Sequence, residues 1–129
     1  MPAGEAFSAR QREDIDRAIK LAKRDTGLDV SVYVGTLEAP ERQRAETLHG
    51  ALSNAAVTAL VAVDPAARRL EIVTGSQLRT WLDDRACSLA ALAMTTSFAA
   101  GDLSGGIVDG IRSLTEHARR PEMLHLDTP

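Results

Sequence analysis

The sequence predicts an α/β fold: a three-layer sandwich with a small mixed sheet flanked by helices on both faces. Two observations carry this. Leu28, Val30, Val32 and Val34 alternate with Asp29, Ser31 and Tyr33 directly after a segment of helical period, the signature of a strand entered from a helix. Val57-Thr58-Ala59-Leu60-Val61-Ala62-Val63 is apolar at nearly every position, as a strand covered on both faces must be. A short turn then leads into a third strand, so a hairpin joins a strand–helix–strand unit and the sheet is mixed. The 129 residues amount to one domain, placed at residues 8–120, with tails at 1–7 and 121–129.

Each element has a local reason. Ser8-Ala9-Arg10-Gln11 reads as a capping box, and Ile15, Ala18, Ile19 and Ala22 follow at helical spacing. Gly27 suits a left-handed residue just past that helix. Pro40 fits the first position of a second helix running to about Ser53, with Ala45, Leu48 and Leu52 inward. Asp64-Pro65-Ala66-Ala67-Arg68 is turn chemistry, and Arg69–Thr74 is the third strand. A short helix is expected over Ser76–Leu82 with Ser76 as its cap. A longer one follows over Asp84–Phe98, with Ala86, Leu89, Ala90, Ala93 and Met94 on its core side. Asp102 caps a final helix that buries Leu103, Ile107, Ile111, Leu114 and Ala118. Gly105, Gly106 and Gly110 cost that helix roughly 1 kcal/mol each relative to alanine. They make sense where the backbone lies close against the sheet. Pro121 stops the helix after Arg119 and Arg120.

Composition excludes several classes of function. Hydrophobic residues make up 44% and charged residues 26%, so the chain can bury a core and is not of the disordered class. The net charge of −3 supplies no basic field for nucleic acid. Arginine outnumbers lysine 13 to 2, which reads as a high-GC bacterial coding bias rather than as phosphate binding. A single cysteine rules out an intrachain disulfide, and no zinc spacing is present. Neither a leader nor an apolar run of membrane-spanning length is legible, so a cytoplasmic location is expected.

Few residues could carry chemistry. His49, His117 and His125 suit surface or helix-end roles, and Cys87, beside Ala86 and Ala90, reads as a structural thiol. There is no G-x-S-x-G, Walker loop, G-x-G-x-x-G or H-E-x-x-H. Gly101-Asp102-Leu103-Ser104-Gly105-Gly106 is only superficially a phosphate cradle, because Asp102 would repel an anion from the helix start. The carboxylates Asp83, Asp84 and Asp102 remain. If the helix between them folds back, Asp84 and Asp102 could converge near Gly75 on a hard cation such as Ca²⁺ or Mg²⁺. The competing reading makes them helix caps, with no cofactor and no catalytic residue.

The order of elements resembles the TPM domain, the module of thylakoid phosphatase and photosystem repair proteins. The resemblance covers roughly Phe7–Ala118. It rests on Asp25-Thr26-Gly27 before a valine-rich strand, on Arg69-Leu70-Glu71-Ile72-Val73-Thr74-Gly75, on Leu78 through Leu82-Asp83-Asp84, and on Phe98-Ala99-Ala100-Gly101-Asp102-Leu103. It looks like a soluble, divergent actinobacterial-type branch. The resemblance implies either a non-enzymatic module that binds a protein partner or a metal-dependent phosphomonoesterase using the Asp84/Asp102 region. With no poised nucleophile or acid–base pair in the sequence, the non-enzymatic module is the leading expectation.

Overall fold

The computed structural model describes residues 7–119; residues 1–6 and 120–129, with Arg120, Pro121 and His125, lie outside the described residues. The first helix, α1 (Ala9–Thr26), opens on the expected capping box: Gln11 N–H donates to Ser8 Oγ at 3.1 Å and Ser8 N–H to Gln11 Oε1 at 2.8 Å. It ends on Gly27 at φ 77°, where a side chain would be strained. Strand β1 (Asp29–Val34) follows at once. Helix α2 (Glu41–Gly50) crosses over to β2 (Thr58–Asp64), and the hairpin returns through β3 (Arg69–Thr74). Two antiparallel C-terminal helices, α3 (Asp84–Ala99) and α4 (Leu103–Ala118), complete the order.

The sheet runs β1-β2-β3, with β1 parallel and β3 antiparallel to the central β2. Val32 pairs with Val61, which pairs with Ile72. All seven residues of β2 are buried, because helices cover both sheet faces. One face packs Val30, Val61 and Ile72 against Ala18, Ala90, Met94, Ile107, Ile111 and Leu114 of α1, α3 and α4. The other packs Leu60, Ala62 and Val73 under Leu37 and Ala45 of the α2 layer, with Tyr33 joining from β1. The valines of β1 therefore share one face and Tyr33 the other, as strand alternation requires.

Several local expectations are corrected. Helix α2 starts one residue later, with Pro40 in extended backbone before it (φ −74°, ψ 123°), and ends at Gly50 rather than Ser53. The chain then tightens into a 3₁₀ turn, Ala55–Val57, that leads into β2. The segment after β3 is a single 3₁₀ turn, Ser76–Leu78, and Gly75 rather than Ser76 stands at its start. Gly75 is required there, since a Cβ would lie 2.1 Å from the Ala55 carbonyl oxygen. Asp83, not Asp84, caps α3: its Oδ1 accepts from Ala86 N–H at 2.9 Å. Gly106 and Gly110 face α3, not the sheet. A Cβ on Gly106 would meet the Phe98 ring at 2.4 Å, and one on Gly110 would meet Met94 Sδ at 2.3 Å.

Candidate functional site

The carboxylates do not converge. Helix α3 runs unbroken from Asp84 to Ala99, a rise of about 24 Å at ~1.5 Å per residue. Asp84 is its first residue, and Asp102 lies beyond its far end, at the start of α4. The fold-back that would have brought Asp84 and Asp102 together near Gly75 is therefore absent. Asp102 uses one carboxylate oxygen as a cap, accepting from Gly105 N–H at 2.9 Å. Among the described residues no group of three or more His, Cys, Asp or Glu is placed to hold a metal ion.

The other candidates have structural partners. His49 Nε2–H donates to the Thr58 carbonyl at 3.0 Å, pinning the end of α2 to the start of β2. His117 Nδ1–H donates to the Ser113 carbonyl at 2.9 Å on its own helix. Cys87 is half-buried near the start of α3. Burial pushes its thiol above the ordinary value, and the Asp84 and Asp83 carboxylates push the same way against the opposing Arg42 guanidinium. It is a protonated, weakly nucleophilic thiol at neutral pH.

What the sequence reading missed is the outward side of α3. The core stripe is Ala86, Ala90 and Met94, with Cys87, Ala91 and Phe98 beside it. At 3.6 residues per turn this leaves Arg85, Leu89, Leu92, Thr96 and Ala99 on the opposite side. Leu89, expected in the core, is 40% exposed and Leu92 is 63% exposed. No Asp, Glu, Lys or Arg occurs from Ala86 to Gly101. A solvent-facing helix side normally carries charge, so that gap was a readable signal. Arg85, at the edge of this face, makes no ion pair among the described residues.

Among the described residues, hollows flank the helical layer on two sides. One, between α1 and α4, is lined by charge of both signs, including Asp14, Arg17, Asp109 and Arg112. The other lies between the β2–β3 turn and the α3–α4 corner, with Val63, Leu70, Phe98 and Leu103 in its wall and Arg68 and Arg69 at its rim. Among the described residues no helix is long and apolar enough to cross a membrane.

Comparison with known proteins places this geometry. An uncharacterised protein of Mycobacterium tuberculosis (strain H37Rv), Rv2468c, is 29% identical over 101 residues, which cover 78% of this chain and 60% of that protein. This chain thus spans about 60% of the length of the curated relatives it matches. The NMR structure of BA42 from the psychrophilic bacterium Bizionia argentinensis superposes with a TM-score of 0.78 at 20% identity, covering 87% of this chain and 81% of that one. The N-terminal domain of cg2496 from Corynebacterium glutamicum gives 0.71 at 17% identity, covering 92% and 78%. At these identities the likeness is one of fold. The family model that matches, over residues 1–115, is DUF5130, a domain of unknown function. This overturns the TPM resemblance. The residues behind that resemblance do local work in the architecture: Gly27 ends a helix, Gly75 passes under two carbonyls, and Asp83 and Asp102 cap helices. The chain belongs to the DUF5130 family.

Proposed function

We propose that the domain is a non-enzymatic protein-interaction module that docks a partner on the outward face of α3. The observation that carries this is the uncharged stretch from Ala86 to Gly101, with Leu89 and Leu92 exposed at its centre. An apolar helix face of this kind suits a partner helix that lays its own apolar stripe along it. The partner carries an acidic residue opposite Arg85, whose guanidinium has no carboxylate among the described residues.

The test uses the chain with a photoreactive residue at Ser88, next to the apolar face, irradiated in extract of its own host. A crosslinked partner should be captured by the parent chain and lost from Leu89→Asp and Leu92→Asp chains of unchanged melting temperature. Arg85→Glu should weaken capture. Equal capture by Leu92→Asp refutes the proposal. Turnover of a phosphomonoester with added Mg²⁺ or Ca²⁺, abolished by Asp84→Asn, would put the metal-dependent phosphomonoesterase in its place.

A further inference from the structure

We infer that the hollow between the β2–β3 turn and the α3–α4 corner is a binding site for an apolar chain that ends in a carboxylate. The hollow measures about 480 Å³, within the range of small-molecule sites. Its wall is apolar where it is deepest: Val63 is 2% exposed, and Leu70, Phe98 and Leu103 are half-buried around it. That wall suits a hydrocarbon chain and offers it no hydrogen bond.

Among the described residues, the rim supplies one cation that makes no ion pair. Asp64 also borders the hollow, but it is 5% exposed and is held away from the opening by two amides, accepting from Leu37 N–H at 2.9 Å and Ala67 N–H at 3.2 Å. Arg69 is paired with Glu41. Arg68 is exposed and makes no ion pair among the described residues. A guanidinium over an apolar wall is complementary to a carboxylate on an apolar chain.

The backbone gives an independent reason to attach weight to Arg68. It holds a left-handed conformation at φ 56°, the only non-glycine residue with positive φ among the described residues. Glycine or asparagine adopts this conformation at lower cost. The turn thus holds arginine at a position where a less strained residue would serve the hairpin better. A side chain used by a ligand accounts for that choice.

Octanoate titrated into ¹⁵N-labelled protein is the test, with 1-octanol as the uncharged control. Octanoate should shift the amides of residues 64–70 and 98–103 in a saturable way, and octanol should bind about tenfold more weakly. Arg68→Gly should lower octanoate affinity to the octanol level while melting at or above the parent temperature. Arg68→Lys should keep most of the affinity. A blocked dipeptide with a free C-terminal phenylalanine is the second arm. Tighter binding than octanoate assigns the site to a peptide terminus, and weaker binding to a free acyl carboxylate. No saturable shift, equal binding of octanol, undiminished binding by Arg68→Gly, or shifts centred on Leu89 and Leu92 would each overturn the inference. The last outcome would leave the α3 docking face standing.

Discussion

Replacing Gly110 by alanine sets two known effects against each other. Alanine in a helix interior is favoured over glycine by about 1 kcal/mol, so an isolated α4 would gain. In the fold, the new Cβ would lie 2.3 Å from Met94 Sδ and 2.5 Å from its Cγ. Ordinary contacts fall at roughly 3.5–4.0 Å. Met94 is fully buried between α3, α4 and the sheet, so its side chain has no solvent side to swing into. Overpacking of this kind costs about 1–3 kcal/mol. The net expectation for Gly110→Ala is a loss of about 1 kcal/mol, or roughly 3–5 °C for a chain of this size. The sign should reverse in a Met94→Ala background. Met94→Ala alone should cost about 2–5 kcal/mol, and Gly110→Ala added to it should recover about 1 kcal/mol through propensity and cavity filling. Urea unfolding followed by circular dichroism gives all four corners of the cycle, with an expected coupling of about 2 kcal/mol. If Gly110→Ala stabilises both backgrounds equally, close packing of α3 on α4 is not why glycine stands there.

Three further outcomes are expected. Asp83→Ala should cost about 1 kcal/mol through loss of the α3 cap, while Asp84→Asn should stay within about 0.5 kcal/mol; equal losses in urea unfolding would contradict the cap assignment. Cys87 should alkylate more slowly at pH 8 than a small free thiol, and faster in Asp84→Asn, which removes one of the two carboxylates raising its pKa. Because its folded-state pKa lies above the unfolded value, its contribution to stability is present below that unfolded value and is lost as pH rises through the folded one. Replacing Cys87 by alanine should therefore flatten the decline in stability at alkaline pH, and an unchanged slope would refute the shift. Finally, millimolar Ca²⁺ should raise the melting temperature by no more than about 2 °C, since Asp84 and Asp102 stand at opposite ends of α3. Binding 100-fold tighter than the added concentration would contribute about 2.7 kcal/mol instead.

Local signals in the sequence were legible where one residue type has one physical use. Ser8 with Gln11, Gly27 after a helix, and seven successive buried residues in β2 leave little choice of structure. Signals that depend on a neighbour were not. Gly75 is needed because the Ala55 and Ala56 carbonyls pass over it, a contact that no sequence window contains. Gly106 and Gly110 signal in the sequence that something comes close, but not that it is α3 rather than the sheet. The same limit misplaced Leu89. Periodicity puts Leu89 next to Ala86 and Ala90, yet small alanines, not the leucine, form the contact because α4 comes close. For the candidate carboxylates, everything turns on whether α3 is continuous. Sixteen uninterrupted helical residues answer it.

The two ladders of the sheet also differ in how far the chain must travel to close them. Asp64 and Arg69, at the end of the β2–β3 ladder, are separated by five positions, whereas Asp29 and Thr58, at the start of the β1–β2 ladder, are separated by 29. The ratio of loop lengths makes the second closure costlier by roughly 1.6 kcal/mol of chain entropy. The hairpin is thus the inexpensive nucleus, and β1 joins a sheet that is already half-built. A core truncation in β1 such as Val32→Ala then acts on escape from the native state rather than on arrival. In stopped-flow measurements the unfolding limb should move and the folding limb should stay in place; slowed folding would mean that β1 pairs early despite the distance.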